Sequence, residues 1–280
     1  MNKLDAAERA RIIGCLVEGM SIRATVRVTG FAKNTVTKLL VDLGRACKEY
    51  QDKTLRDLPC KRIQCDEIWS FCYSKEKNVP QDLKGLFGYG DVWTWTAMCA
   101  DTKIVPSFLV ANRSAAAATL FIDDLAGRLK NRVQLTTDGL KVYVNAIEEA
   151  FGCDIDYAML IKVYGNEGDP DTQDPASKRY SSPEVTETKI VEISGQPDPK
   201  HISTSYIERQ NLTMRMSMRR FTRLTNGFSK KVENLDAAVA LHFMYYNFGR
   251  IHKTLRVTPA MEAGVADHVW SLEEIAGLLD

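Results

Sequence analysis

Residues 61–73, KRIQCDEIWSFCY, follow the two-residue period of a strand, with Ile63, Cys65, Trp69 and Phe71 among the β-formers. Two further strands follow at 91–100, DVWTWTAMCA, and 104–111, IVPSFLVA, with Asp101-Thr102-Lys103 as the hairpin turn between them. Pro106 has no N–H to give a ladder, which puts the third strand at or near an edge, or on a bulge. Beyond it the period lengthens. Ser114 to Lys130 reads as an amphipathic helix capped by Ser114. Val133 to Thr137 is a short strand ending at Asp138-Gly139, Leu140 to Phe151 a helix, and Tyr157 to Val163 a strand. The order βββαβαβ, an antiparallel start followed by two crossovers, predicts an α/β fold with a mixed sheet and helices on its faces.

Upstream, the first 50 residues read as helices. Leu4, Ala7, Ala10, Ile13, Leu16 and Val17 recur at helical spacing, and Gly19 closes the run. Ser21 caps a second helix over about Ile22 to Val28, Thr29-Gly30-Phe31 turns, and a third helix runs from about Lys33 to Glu49. This is the layout of a helix-turn-helix, whose third helix would present Lys33, Asn34, Thr35, Thr37 and Lys38 to phosphates and base edges. A plain helical bundle with a solvated polar face fits the same pattern. Residues 51–60 read as a linker. The expected division is a helix-turn-helix domain over 1–50, the α/β domain over 61–264 with an acidic insert at 165–200, and a C-terminal helix over 265–280 packed by Trp270. Within the α/β domain, helical patterning returns over Ser203 to Thr222 and Val232 to Phe248.

At 280 residues and 31.5 kDa the chain can bury a sizeable core without disulfides. Seven cysteines, an odd number with no CxxC pair, argue against a disulfide framework or zinc ribbon and for reduced thiols inside a cell. Cys60, Cys65 and Cys72 match no common metal-site spacing. No apolar run is long enough to cross a membrane, and the first residues lack a signal peptide's apolar stretch. A net charge of +1 excludes a uniformly basic nucleic-acid binder but conceals strong local bias. Residues 1–60 carry a balance of +4, residues 165–199 one of −5, and residues 200–231 one of +7.

Three acids stand out by position. Asp66 lies in the first strand, Asp138 at the carboxyl end of a strand that feeds a crossover, and Glu208 near the start of a helix. Ligand groups in α/β sheets gather at carboxyl strand ends, which favours Asp138. Each acid also has a plain reading as a surface strand residue, a turn residue and a helix-dipole partner, respectively. Around Glu208, helical geometry puts Arg215 and Arg219 on the same face and Ile207, Met214, Met218 and Phe221 on another, so a basic face carries a single carboxylate. Such a face suits a substrate with spread negative charge. The tryptophans at 69, 93 and 95 read as core.

Four segments, in order, resemble the DDE transposases of the insertion-sequence-one family, which have a ribonuclease-H-like catalytic domain. They are Cys65-Asp66-Glu67-Ile68-Trp69-Ser70, Thr136-Thr137-Asp138-Gly139, and Ser205-Tyr206-Ile207-Glu208-Arg209-Gln210-Asn211 followed by Arg215, then Tyr245-Tyr246-Asn247 through Arg250 and His252 to Thr258-Pro259-Ala260. The similarity covers roughly residues 60–264. Relatives often carry a cysteine-rich zinc element ahead of the helix-turn-helix, and this chain does not. The resemblance implies that Asp66, Asp138 and Glu208 bind metal, that Arg215 lies near the scissile phosphate, and that His252 and Asn247 support the site. Arg219, Lys230 and Lys231, with Lys33 and Lys38, would then hold the DNA backbone, making affinity fall with salt.

Implied with it are Mg²⁺ or Mn²⁺, two ions per active site, double-stranded DNA as transposon ends and target, and a homodimer or larger synaptic complex. The place would be the cytoplasm, at the nucleoid, if the chain is a bacterial insertion-sequence protein. Two ions about 4 Å apart serve in-line displacement at phosphorus, both for cutting and for joining a 3′-hydroxyl to target DNA. Without them, two carboxylates about 4 Å apart repel by roughly 4 kcal/mol at an effective dielectric of 20, so one tends to hold a proton. Two other classes remain open. One is a DNA-binding regulator with an unused transposase-like core. The other is a ribonuclease-H-like nuclease that cuts without joining.

Overall fold

The structure, a computed structural model, describes residues 4–164, 185–222 and 226–280. Three helices open the chain: α1 (Ala6–Val17), α2 (Ile22–Thr29) and α3 (Lys33–Thr54). Each start and stop has a local cause. Asp5 and Glu8 close a capping box on α1, Ser21 Oγ accepts from the Ala24 N–H at the head of α2, and Gly30 ends α2 in the left-handed conformation at φ 80°. Thus the three helices form in the expected order and with the expected turn. α3, however, continues into the segment expected as a linker, reaching Thr54. It does so because it is buried: Val36, Leu40, Leu43, Cys47 and Gln51 line one side of it.

The sheet comprises β1 (Arg62–Cys72), β2 (Gly90–Cys99), β3 (Ser107–Ala111), β4 (Val133–Thr137), β5 (Ile155–Tyr164) and β6 (Val185–Ser194), in the spatial order β3-β2-β1-β4-β5-β6. β1, β2 and β3 pair antiparallel, β4 lies parallel to both β1 and β5, and β6 returns antiparallel on β5. α4 (Ala115–Ala126) and α5 (Val142–Phe151) cover one face, where Trp95 packs against Phe121 and Tyr143. α6 (Ser205–Ser217) and α7 (Val232–Met244) cover the other, where Phe108 of β3 meets Phe243 of α7. This mixed, helix-flanked α/β sheet is consistent with the ribonuclease-H-like core that the resemblance implies. As expected, β3 with its preceding Pro106 forms one edge.

Of the expected acidic insert, residues 165–184 lie outside the described residues, and 185–194 form the other edge, β6, with both faces exposed. A π-helical turn (Tyr245–Gly249) follows α7, then the short α8 (Pro259–Glu262) and α9 (Leu272–Gly277). The expected C-terminal helix is therefore shorter than 265–280, and Trp270 packs ahead of it on Tyr50 and Phe248.

One continuous buried cluster joins the sheet to the terminal helices, through Ile13, Leu43, Cys47, Trp95, Phe243 and Ile275. α3 and α7 touch so closely that a Cβ on Gly44 would come within 2.5 Å of Ala237. The N-terminal helices are thereby packed on the body that carries the sheet. Among the described residues all seven cysteines are free thiols, and no helix is long and apolar enough to cross a membrane.

Candidate active site

The parallel ladder between β1 and β4 builds the site by ending early. β4 pairs with β1 only over Arg62–Cys65 and stops at Thr137, while β1 runs on to Cys72. Asp66 and Glu67 are the first β1 residues past that pairing, and Asp138 is the first residue past β4. Successive strand residues start toward opposite faces. With no β4 neighbour between them, the carboxylates of Asp66 and Glu67 nevertheless converge on the gap, joined by Asp138, with one oxygen of each within 4.8 Å of the others.

Each acid is held differently. Asp66 accepts from the Glu67 N–H at 2.8 Å and from Asn211 Nδ2 of α6 at 2.7 Å. Asp138 accepts from the Leu140 N–H at 2.9 Å, which fixes the turn into α5. Glu67 is 7% exposed, and its Oε2 accepts from Arg113 Nε at 3.2 Å. The same guanidinium lies 3.9 Å from Asp138 and stacks 4.6 Å over the Trp93 ring. One buried oxygen beside the acids, Asn211 Oδ1, has no hydrogen-bond partner.

Across the cleft, α6 presents Glu208. Thr204 makes no side-chain cap on this helix; instead Gln64 Oε1 of β1 accepts from the N–H groups of Tyr206 at 2.9 Å and Ile207 at 3.1 Å. The Glu208 carboxylate accepts from the Thr204 hydroxyl at 2.5 Å and pairs with Lys162 of β5. Arg215 lines the same cleft, an open volume of about 840 Å³.

Electrostatics follow from this crowding. Burial first, then the charges of Asp138 and Glu208, push the Asp66 carboxyl up to about 7. Burial also pushes Glu67 up to about 7, against the opposing pull of the Tyr143 hydroxyl. One guanidinium thus serves three acids. The donors are all oxygens, and the buried Asn211 Oδ1 beside them lacks a partner, a set that suits a hard cation such as Mg²⁺ or Mn²⁺ better than zinc.

The structure therefore brings together Asp66 and Asp138 and faces them with Glu208 and Arg215, but the tight group of acids contains Glu67, and Glu208 is engaged by Lys162. Arg219 departs from the expected face. α6 ends at Ser217, Met218 turns extended at φ −131°, and Arg219 belongs to the 3₁₀ turn that follows. His252 does not line the cleft; its charged neighbours are Lys103 and Arg250, and burial first and then those cations hold its pKa below the usual value. Asn247 is a buried latch, accepting from the Val105 N–H and donating to the Val105 carbonyl, both at 3.0 Å.

Lys33 and Asn34 are exposed, Thr35 and Thr37 half-buried, and Lys38 is paired with Asp42. Lys230 and Lys231 are exposed beyond the far end of β1. Sequence reasoning missed Glu67, Arg113, Lys162, Asn211 and Gln64. Asn211 lies one helical turn from Glu208. Of the three tryptophans read as core only Trp95 is buried, while Trp69 is 37% exposed.

No protein-family model matches the chain, and no curated protein matches it. Among solved structures, the piggyBac transposase synaptic complex with hairpin DNA aligns over 99% of this chain and 71% of its own, at 10% identity and a TM-score of 0.45. The Mos1 strand transfer complex aligns over 86% of this chain and 78% of its own, at 12% identity and a TM-score of 0.23. At this level of overlap neither neighbour assigns a residue or an activity to this chain.

Proposed function

We propose that this chain is a DNA transposase of the DDE type, which cleaves at transposon ends and joins the 3′-hydroxyl ends to target DNA. The observation that carries the reading is the meeting of Asp66 and Asp138 where the β1–β4 pairing ends, with Glu208 facing them across one cleft. Asp66, Asp138 and Glu208 would hold Mg²⁺ or Mn²⁺, two ions, with Glu67 beside them. When bound, such ions supply polarisation of the attacking oxygen and neutralise charge on the leaving one.

The chain's own groups do the rest. Arg113 offsets the charge of Glu67 and Asp138, and Lys162 holds Glu208 on the cleft wall. Arg215, on the same wall, offers a guanidinium to a non-bridging phosphate oxygen and opposes the charge that develops there. Outside the cleft, Lys33, Asn34, Thr35, Thr37 and Lys38 of α3, with Arg219, Lys230 and Lys231, would hold the DNA backbone, and paired ends would require a dimer or larger assembly. The role of α3 as a recognition helix belongs to this proposal.

The test uses a duplex carrying the element's ends. Asp138→Asn keeps end binding and loses Mg²⁺-dependent nicking, by at least about 10²–10³-fold, the scale of removing one electrostatic stabiliser. Full nicking by that variant overturns the assignment. A strand-transfer assay then separates a transposase from a nuclease that only cuts.

A further inference from the structure

The sheet face that carries Glu67 continues beyond the helices that cover it. Glu67, Trp69 and Phe71 alternate along β1, and the register sets Trp95 opposite Glu67 and Trp93 opposite Trp69. α4 and α5 reach only to Trp95, which is fully buried against Phe121 and Tyr143. Past that level the face opens. Trp93 and Phe71 are half-buried, and Trp69 and Tyr73 are each 37% exposed.

Trp69, Phe71 and Phe228 form a series of ring contacts, and the register places Trp93 beside Trp69. Trp69 and Phe71 lie with centroids 5.7 Å apart, and Phe71 and Phe228 lie 4.7 Å apart. Each end of the series is marked by a cation. Arg113 sits 4.6 Å over Trp93 at the acidic end, and Lys230 sits 4.6 Å over Phe228 and 5.9 Å from Tyr73 at the far end. Arg113 belongs to both regions, because the same guanidinium binds Glu67 and approaches Asp138. The aromatic track is therefore continuous with the acidic cleft.

The occupant follows from the chemistry. An apolar partner would leave the Lys230 ammonium desolvated and unpaired. A duplex presents phosphates but keeps its base faces stacked inside. Unpaired bases on a phosphate backbone satisfy both features, with flat faces for the rings and an anion for Lys230. We propose that this track binds unpaired bases of the DNA strand whose phosphate enters the acidic cleft. The inference rests on the proposed function and extends it, since it requires the ends to be locally opened beside the cut.

The test is fluorescence anisotropy without divalent ion, comparing a labelled oligothymidylate with a duplex of the same length. Trp69→Ala weakens oligothymidylate binding by about tenfold and duplex binding by no more than about twofold. Trp69→Phe restores most of the loss, and Lys230→Ala lowers the salt dependence by about one phosphate contact. Trp69 is solvent-facing, so circular dichroism should show the variants folded. Equal losses on both probes would make the track a plain backbone contact and overturn the proposal. So would unchanged oligothymidylate binding, or a change in oligomeric mass with Trp69→Ala, which would make it a contact between copies. Failure of the track and failure of the reaction separate cleanly. A wild-type chain that shows the tenfold Trp69 effect yet never nicks DNA refutes the reaction alone, and one that nicks but is indifferent to Trp69→Ala refutes the track alone.

Discussion

The two ends of the sheet treat carboxylates in opposite ways. At the amino ends of the parallel strands the acids are matched by arginines in direct ion pairs. Asp101 pairs with Arg62, Asp156 with Arg132, and Arg128 reaches both Asp52 and Asp124. Hydrogen bonds from Arg132 hold Asp156 below the usual carboxylate range, and although burial works against it, Arg62 does the same for Asp101. At the carboxyl ends, Asp66, Glu67 and Asp138 share one Arg113, and two of them are pushed up to about 7. One end is built for stability. The other holds negative charge in excess of what the chain neutralises, which is what a cation site requires before it is loaded.

The sharpest way to break this contrast is to delete a partner at each end. Arg128→Ala removes the donor that ties the Gln51 and Leu55 carbonyls to Asp52 and Asp124, although Asp52 keeps Arg56 and Asp124 keeps Ser107, and should cost about 1–3 kcal/mol in denaturant unfolding. Asp66→Asn in the metal-free protein should instead stabilise at pH 8, by about 1 kcal/mol or more, while abolishing nicking. A destabilised Asp66→Asn would show the cleft to be an ordinary paired site.

Titration sharpens the same point. Asp66 and Glu67 bind protons more tightly folded than unfolded, so metal-free stability is fullest near pH 4 on their account and falls as pH rises toward 7. Thermal melts of wild type should show that decline, and Asp66→Asn should flatten it. Mg²⁺ should reverse it, raising the melting temperature by several degrees at pH 8 and little at pH 5. The smallest effect belongs to the well-paired end: Asp101→Asn should change stability by no more than about 1 kcal/mol, since both partners are partly solvated.

Much of this was legible in the sequence. The period-two stretches at 61–73 and 91–100 and the two crossovers were enough for a mixed sheet with Asp66 in its first strand and Asp138 at the carboxyl end of a later one, while their meeting was implied by the family resemblance alone. Glu67 was hidden by the same rule, because alternation sends it to the opposite face from Asp66. Its arrival in the cleft depends on β4 stopping at Thr137, a matter of register between distant segments. Arg113 is one basic residue in a loop and carries no periodic signal. Arg219 was misplaced because helical periodicity was extended past Ser217, where burial of Met218 and Phe221 in the core turns the chain. The linker over 51–60 was misread because packing on α7, not local propensity, keeps α3 helical to Thr54.

Gln64 gives the architecture a last property. By receiving the first N–H groups of α6 on a side chain two residues from Asp66, it moors the helix of Glu208 to the strand of Asp66 directly. The spacing of those two acids is then indifferent to how much chain is inserted between β5 and α6. Lineages of this protein could lengthen or trim that stretch freely, while an exchange at position 64 would shift the helix and leave every acid in place by name but not by distance.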